Sequence, residues 1–319
     1  MNVLVRKFRS LLSHARTPSQ LTPALRRNVA LARGLINGRG CFTYDSPLRI
    51  RFICFTDNPT SLQLFVRGYQ EEAEIEIARA WLHPGDRCID VGANVGLLSV
   101  VFASAVGKDG AVLAIEPSPI AFARLTEALR LLDLNNVVPL ACCVSSGEGV
   151  TQFFVASSSS ADAEEESMRV SEDRRHEFRQ VVVPSAQLAS LCRDMDGFAS
   201  PALLKIDVEG AEPLVLTGSD GVIRSEAPPL VIAEIHRTAL ANYDHSPAEI
   251  LAHFPSARFD LFFIPRSVSD ERGDRLHGRV YPLTDPADLP IYSNLIAIPV
   301  GGWEASRGAA VRQVISQLS

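Results

Sequence analysis

The sequence lacks the patterns that mark several common classes of protein. No run of apolar residues approaches the ~20 that a helix needs to cross a bilayer, and no H-x-H motif or dense His/Asp cluster points to a metal centre. None of the six cysteines belongs to a C-x-x-C pair. We therefore expect reduced thiols, no bound metal and a cytoplasmic enzyme rather than a membrane protein or a disulfide-rich one.

Excess positive charge is also missing from the chain as a whole. The formal net charge is −6, which gives no support to general nucleic-acid binding, and we expect no nucleic-acid partner. The beginning of the chain is the exception, because up to Arg51 it has ten Lys or Arg residues and a single acid, Asp45. This basic segment fits an accessory helix, an organellar transit peptide or a peripheral membrane contact, and the sequence leaves these alternatives open.

The length of 319 residues and the hydrophobic content of 46% allow one large buried core. We predict three parts: a basic N-terminal extension with a strand hairpin (residues 1–69), one α/β domain (residues 70–300) and a C-terminal helix (residues 301–319). In the extension, residues 41–44 and 48–52 have the pattern of paired strands around an Asp-Ser-Pro turn.

The most informative motif is Asp-Val-Gly-Ala-Asn-Val-Gly at residues 90–96. It follows a short apolar strand pattern and precedes an apolar helix pattern, which together indicate the first βα unit of a doubly wound nucleotide-binding sheet. The next predicted strand, residues 111–115, ends in Glu116 and Pro117, where the ribose of a cofactor would lie. The alternative is a tight βα turn that binds no ligand.

The residue types in this motif favour S-adenosylmethionine over NAD. Asn94 stands where a dinucleotide fingerprint needs its middle glycine, and Asp90 would repel a pyrophosphate but suits an ammonium group. The cofactor's carboxylate can accept hydrogen bonds at the helix start. We therefore predict a cofactor site formed by Asp90, Gly92, Asn94, Gly96, Glu116, Pro117, Cys143 and Val144, the last two at the end of a strand over residues 137–144.

Two further predicted strands end in acids. Asp207 and Glu209 follow the strand at residues 202–206, and Glu234 and His236 follow residues 230–233. Because ligands bind beyond the carboxyl ends of parallel strands, we expect these four side chains to converge. Alternation in an extended chain would put Asp207 and Glu209 on one face.

Other acids are predicted to have structural roles. Glu212 is predicted to lie in the first turn of the next helix, where it complements the helix dipole. Four acids of an earlier helix are predicted to face mostly water: Glu71, Glu72, Glu74 and Glu76. Strands at residues 258–265 and 293–299 should pair antiparallel at the sheet edge.

Several of these blocks together resemble one family. Residues 90–96, Glu116-Pro117, the block Lys-Ile-Asp-Val-Glu-Gly-Ala-Glu at residues 205–212 and Asn-Leu-Ile-Ala-Ile-Pro at residues 294–299 are similar to the FkbM family of S-adenosylmethionine-dependent methyltransferases. The resemblance covers about residues 70–300. It implies a Rossmann-like class I methyltransferase sheet and O-methylation of hydroxyls on sugars, glycolipids or polyketide-type molecules. By likeness to related methyltransferases, one of the four acids of the earlier helix is also a candidate to reach the active site, and the sequence does not say which. The resemblance leaves the acceptor and the oligomeric state open.

For the mechanism we predict that Asp207 is the base or the group that orients the acceptor, with His236 as the alternative base. Glu209 and Glu234 would position the substrate. No metal ligand is predicted, although three carboxylates at this edge are able to hold Mg²⁺. The alternatives are a non-catalytic S-adenosylmethionine-binding scaffold recruited through the basic extension, and an NAD-dependent dehydrogenase.

Two polar segments have open roles in the sequence. Residues 157–175 fit either a surface insertion or a lid over the substrate. Residues 266–283 carry several basic side chains, beginning with Arg266. They would either contact an anionic acceptor or form a solvated connection.

Overall fold

The computed structural model describes residues 29, 30, 32, 34, 40–67, 72–156, 168–170, 172–266, 278–301 and 305–318. The chain divides into two compact units, residues 1–70 and 71–319. Four features of the sequence lie outside the described residues. They are the amphipathic pattern before residue 17, Glu71, most of the polar segment before residue 168, and the basic residues after Arg266 up to residue 277.

In the first unit, an antiparallel hairpin is followed by a short helix: β1 (Cys41–Asp45), β2 (Arg51–Phe55) and α1 (Pro59–Arg67). The predicted strand pair is present, but its second strand begins at Arg51 rather than at residue 48. The turn between the strands explains the shift. Ser46 donates its backbone N–H to the carbonyl of Ile50, and Arg49 has a left-handed backbone with φ of 60°.

The second unit contains two sheets. Its strands in chain order are β3 (Arg87–Val91), β4 (Ala111–Ile115), β5 (Val137–Leu140), β6 (Cys143–Val144), β7 (Gly149–Ala156), β8 (Phe178–Ala186), β9 (Leu203–Ile206), β10 (Leu230–His236), β11 (Phe259–Pro265), β12 (Tyr281–Pro282) and β13 (Tyr292–Pro299). The large sheet has the order β12-β11-β13-β10-β9-β3-β4-β5, and the small one has the order β6-β8-β7.

The large sheet confirms the predicted doubly wound architecture. Strands β5, β4, β3, β9 and β10 run parallel, whereas β13, β11 and β12 add an antiparallel portion at one edge. The chain first builds outward from β3 to β5 and then returns to the other side of β3 with β9. The strand order therefore reverses between β3 and β9, the place where such sheets bind ligands.

Helices connect the strands. In chain order, those among the described residues are α2 (Glu72–Trp81), α3 (Leu97–Val106), α4 (Pro119–Leu132), α5 (Leu188–Asp194), α6 (Glu212–Gly218), α7 (Asp220–Ile223), α8 (Arg237–Ala241), α9 (Pro247–Leu251) and α10 (Ala305–Leu318). Helix α3 is buried on most of its surface, as its apolar sequence predicts. Among the described residues, no helix combines the length and the apolar character that a bilayer span requires.

The two faces of the parallel strands have different contents. Ile89 and Val91 of β3 belong to a hydrophobic core shared with α5, α6, α7 and α9. Asp90 lies between them and so points to the opposite face, where it contacts Ser99 of α3. The alternation therefore separates an apolar face from a face that carries the polar site residues.

Helix α10 is tied to the sheet through α2. Arg307 forms a two-pronged ion pair with Asp86, with nitrogen–oxygen distances of 2.6 and 3.1 Å. It also donates a hydrogen bond to the carbonyl of Trp81. The Trp81 indole in turn donates to the carbonyl of Ala202 at 2.7 Å. These contacts secure the amino ends of β3 and β9.

The prediction of one strand over residues 137–144 was wrong. Strand β5 ends at Leu140, and Cys143 and Val144 form β6, which pairs with Ser185 and Ala186 of β8 in the small sheet. A continuous apolar run does not reveal such a change of sheet, because the residues on both sides of the break are apolar and nothing in the pattern marks where one strand ends.

Candidate active site

The glycine-rich loop lies directly against the end of β9. Gly92 has a φ of 79°, in the left-handed region, and a Cβ atom added to it would lie 1.7 Å from the carbonyl oxygen of Asp207. Only glycine fits this position. We expected the missing side chain to admit a cofactor, but at Gly92 it admits the chain's own backbone. The loop after β3 and the end of β9 are therefore in direct contact.

Glu116 joins the same loop to the end of β4. Its Oε2 accepts the backbone N–H of Asn94 and its Oε1 accepts that of Ser118, both at 2.8 Å. The carboxylate is buried and held in one orientation by these bonds. Each oxygen has a second lone pair, so a carboxylate fixed in this way can still accept hydrogen bonds from a ribose diol. Pro117 follows it at the strand end and is partly buried.

Asp90 lies on β3 just before the glycine-rich loop and contacts the helix that follows it. Its side chain is buried, and its Oδ2 accepts the hydroxyl of Ser99 at 2.5 Å. Gly96 has a left-handed backbone with φ of 84° and leads into α3, whose N-terminus has no side-chain cap. The helix start thus presents backbone N–H groups, as the predicted cofactor site requires. The contact of Asp90 with the cofactor's ammonium stays a prediction.

The placement of Cys143 and Val144 differs from the prediction. They were predicted to belong to the cofactor site at the end of a strand over residues 137–144, but they lie in the small sheet and are buried. Burial raises the pKa of Cys143 to about 12. Their side chains pack in hydrophobic cores. The strand end beside Glu116 is instead formed by Leu140, which shares a backbone hydrogen bond with Glu116.

Asp207 is paired with a buried lysine. Lys205 Nζ lies 2.6 Å from Asp207 Oδ2, and the lysine side chain is only 3% exposed, against 25% for the aspartate. Burial raises the pKa of Asp207, but the charge of Lys205 and its hydrogen bond outweigh burial, so that the pKa lies below its ordinary value. Asp207 is therefore an ionised carboxylate, partly open to a ligand.

Glu234 differs from Asp207 in environment. It is 1% exposed and its Oε1 accepts the hydroxyl of Tyr292 at 2.7 Å. Burial, followed by the charge of Asp207, raises the pKa of Glu234 well above its ordinary value. His236 lies two residues further along β10, and its ring packs against that of Tyr292 with centroids 4.8 Å apart. Glu234 and His236 lie on one face, as predicted, but within the strand rather than beyond it.

The segment after Asp207 is not extended, contrary to our prediction. Glu209 has φ of 54° and Gly210 has φ of 98°, so the chain makes a left-handed turn there. Glu212 holds this turn, because its Oε1 accepts the backbone N–H groups of Val208 and Gly210 at 3.1 and 3.3 Å. It occupies the first position of α6, as predicted, and is buried. Burial raises the pKa of Glu212 to about 7.

The three carboxyl groups of Asp207, Glu209 and Glu234, which we call the carboxylate cluster, do converge. One oxygen of each lies within 4.8 Å of the other two. This spacing is compatible with a divalent cation, but the ammonium of Lys205 already neutralises Asp207. Arg266, at the end of β11, lowers the pKa of both Asp207 and Glu234 through its charge. Its guanidinium lies 5.2 Å from the centroid of the Tyr292 ring.

The sequence did not single out four residues of this site. Lys205 sits inside an apolar strand, where a charged residue signals a buried partner. Tyr292 and Asn294 are opposite His236 and Glu234 in the antiparallel pair of β13 and β10. Asn294 donates a hydrogen bond to Glu74 of α2, which is buried although we predicted it to face water with its neighbours. Glu72 and Glu76 are exposed, as expected.

A family model decides the classification. The model of the methyltransferase FkbM domain matches residues 90–261, more than half of the chain. The chain belongs to the FkbM methyltransferase family. The match begins at Asp90 and includes three of the blocks that carried the resemblance, residues 90–96, Glu116-Pro117 and residues 205–212, whereas the block at residues 294–299 lies beyond it. The FkbM prediction, and with it the S-adenosylmethionine-dependent methyltransferase class, is confirmed.

Solved structures with a similar fold include other methyltransferases. A candidate rRNA methylase from Clostridium thermocellum has 11% identity and a TM-score of 0.43, over 73% of this chain and 96% of its own. The FkbM methyltransferase from Methylobacillus flagellatus KT has 16% identity and a TM-score of 0.40, over 74% and 52%. An rRNA methylase from Streptococcus thermophilus has 10% identity and a TM-score of 0.40, over 72% and 96%.

These similarities are too low to carry an argument about the reaction of this FkbM protein. No curated protein sequence matches the chain. The acceptor must therefore be inferred from the site itself.

Proposed function

We propose that this FkbM protein transfers the methyl group of S-adenosylmethionine to a hydroxyl of a sugar, glycolipid or polyketide-type small molecule. The observation that carries the proposal is the contact between Gly92 and the carbonyl of Asp207. It joins the loop expected to hold the methyl donor to the backbone of Asp207, whose carboxylate is expected to meet the acceptor. Donor and acceptor would therefore meet where the strand order reverses.

The donor side rests on Glu116 and on the start of α3. Two backbone N–H groups fix the Glu116 carboxylate, so it can receive both ribose hydroxyls without losing side-chain freedom on binding. Calorimetry on the purified protein tests this assignment. We expect S-adenosylmethionine and S-adenosylhomocysteine to bind and NAD not to bind; tight NAD binding alone would instead support a dehydrogenase.

On the acceptor side, the lowered pKa of Asp207 favours a mechanism in which the acceptor hydroxyl loses its proton late, as the methyl group is transferred. The sulfur–carbon bond of the donor breaks as the bond from the acceptor oxygen to the methyl carbon forms. The acceptor oxygen then carries the positive charge that the sulfonium loses, and its proton becomes far more acidic than a carboxylic acid. A weakly basic carboxylate can accept that proton, with S-adenosylhomocysteine left as the product. Asp207 would first orient the hydroxyl by accepting its hydrogen bond.

Glu209 and His236 are further contacts for the acceptor. Glu209 belongs to the carboxylate cluster and is partly exposed. His236 is also partly exposed beside Tyr292, and it stays the alternative base. Arg266, over the same tyrosine ring, supports an acceptor that carries a negative group, such as an acidic or phosphorylated sugar. A screen of sugars, glycolipids and polyketides with methyl-labelled cofactor would identify the acceptor by product mass.

The role of Asp207 is tested by Asp207→Asn, with Asp109→Asn as a control on an exposed turn. We expect the first variant to lose at least ~10²-fold in turnover while its affinity for S-adenosylhomocysteine stays near that of the wild type. The control should keep both properties. Near-normal turnover of Asp207→Asn would contradict the assignment of Asp207 and would favour His236 as the base.

Several predictions from the sequence are not tested by the fold. These are the cytoplasmic location, the absence of a nucleic-acid partner, the absence of a metal and a membrane contact through the basic extension. Deletion of residues 1–39 tests the last one. An accessory segment predicts unchanged cofactor binding, and an anchor predicts loss of binding to anionic vesicles with turnover preserved.

A further inference from the structure

Asp207 and Glu234 bring two carboxyl groups together on neighbouring strands. Glu234 is 1% exposed, and one of its oxygens accepts the Tyr292 hydroxyl. The other oxygen, Oε2, is buried and has no hydrogen-bond donor among the described residues. An ionised carboxylate with an unpartnered buried oxygen beside a second carboxylate is strongly disfavoured. A proton on Oε2 would remove the charge and turn this oxygen into a donor.

The charged groups around Glu234 determine which carboxyl holds the proton. Lys205 faces it from β9, Asp207 and Glu209 from the turn that follows β9, Glu212 from α6, Arg266 from the end of β11 and Tyr292 from β13. Lys205 contacts Asp207 directly at 2.6 Å, so the ammonium stabilises negative charge on the aspartate. Glu234 receives a neutral hydroxyl instead. A shared proton is therefore better placed on Glu234, which has one carboxyl oxygen within 4.8 Å of an oxygen of Asp207.

We propose that Glu234 is a neutral acid in the resting protein and acts as a positioning residue: its carboxyl O–H aims the ionised Asp207 at the acceptor hydroxyl, while Tyr292 holds its other oxygen. The role assigned to Asp207 rests on the proposed function. The protonation of Glu234 does not, because it follows from the burial and contacts of the folded chain. Asp207 is therefore the charged carboxylate that contacts the substrate, and Glu234 is the neutral acid that fixes the orientation of Asp207.

Glutamine is the replacement that distinguishes this role from an ionised one. Its amide N–H₂ can donate to Asp207 and its carbonyl can accept from Tyr292, as a protonated glutamate does. Methionine has a similar volume but neither group. We expect Glu234→Gln to lose at least about 10-fold less turnover than Glu234→Met, because only the glutamine retains both a donor and an acceptor. Glu234→Met should lose at least about 10²-fold, because Asp207 is no longer fixed.

A measurement that needs no acceptor keeps the proposal independent of the reaction. Infrared difference spectra at pH 7 between wild type and Glu234→Gln should show the carbonyl band of a protonated carboxyl in the wild type only. Glu212→Gln serves as the control, since it removes another buried glutamate whose pKa is raised by burial and should leave the Glu234 band in place. Binding of S-adenosylhomocysteine by each variant, measured by calorimetry, confirms an intact fold.

The outcomes separate the two ideas. If the band is present but no methyl transfer is found, the proton assignment stands and the proposed function fails. If Glu234→Gln shows no loss of a protonated-carboxyl band, Glu234 is ionised and the proposal is overturned. It is also overturned if Glu234→Gln binds S-adenosylhomocysteine normally but loses turnover about 10²-fold, as a cation-binding carboxylate would.

Discussion

Replacement of Glu212 by glutamine should remove a pH dependence from the stability of the protein. Glu212 accepts two backbone N–H groups through Oε1, while its buried Oε2 has no hydrogen-bond partner among the described residues. Burial raises its pKa from 4.5 to about 7 in the folded state. Between these two values the folded chain holds a proton that the unfolded chain has released. Stability is therefore highest at low pH and falls as the pH rises through this window.

The size of the effect follows from the linkage relation. One glutamate with these two pKa values destabilises the folded state by about 2.5 kcal/mol more at pH 8 than at pH 5, at about 1.4 kcal/mol per pKa unit. Glu212→Gln retains the carbonyl that accepts both N–H groups but cannot titrate. Between pH 5 and pH 8, the free energy of unfolding should therefore fall by about 2.5 kcal/mol less in the variant than in the wild type.

Urea unfolding at several pH values between 5 and 8 measures this difference. The control is Glu72→Gln, which changes an exposed glutamate at the start of α2. Its curve should run parallel to that of the wild type, because Glu212 is present and titrates in both proteins. Parallel curves for the wild type and Glu212→Gln would refute the reasoning, since they would mean that Glu212 holds no proton between pH 5 and pH 7.

Two further substitutions test contacts that organise the site. Gly92→Ala should destabilise the protein by more than Gly85→Ala. Both add a side chain to a left-handed backbone, at a cost of roughly 1–2 kcal/mol, but the added Cβ at Gly85 meets no atom within 4 Å. Equal losses in urea unfolding would show that the backbone at Asp207 moves away from the new side chain at little cost. Trp81→Phe removes the indole bond to the Ala202 carbonyl and should cost roughly 1–3 kcal/mol, measured by thermal unfolding, with cofactor affinity nearly unchanged. A loss of affinity of ten-fold or more would mean that the start of β9 also controls the cofactor loop.

The parts of the fold that the sequence predicts correctly depend on local patterns. The βα unit around residues 90–96 could be predicted because strand, glycine turn and apolar helix follow each other directly. The parallel core strands and the antiparallel edge follow from apolar runs of strand length. The end of β5 could not be predicted in this way, because the chain changes sheets within one apolar stretch. Pairing of β6 with β8 joins residues about forty positions apart.

The part of the site that sequence reasoning missed is made of long-range contacts. Glu74 and Asn294 are 220 positions apart, yet they share a buried hydrogen bond. Tyr292 reaches Glu234 only because β13 is inserted between β10 and β11. A helix acid within a wet-face pattern and a tyrosine at the start of an apolar strand have no distinguishing local signal. Lys205 did have one, since it is a single charge within an apolar strand.

The contact between Gly92 and Asp207 also limits how the acceptor range of such a protein can change in evolution. A side chain at position 92 would displace the backbone of Asp207, so a substitution in the donor loop would also move the carboxylate expected to bind the acceptor. We therefore expect the glycine loop and the end of β9 to change together in evolution. At the antiparallel edge, Tyr292 is held by its contact with Glu234, whereas Arg266 follows the end of β11 and contacts only the face of the Tyr292 ring among the contacts described above. We therefore expect new acceptors to be accommodated by exchange of side chains at the end of β11 rather than in the donor loop.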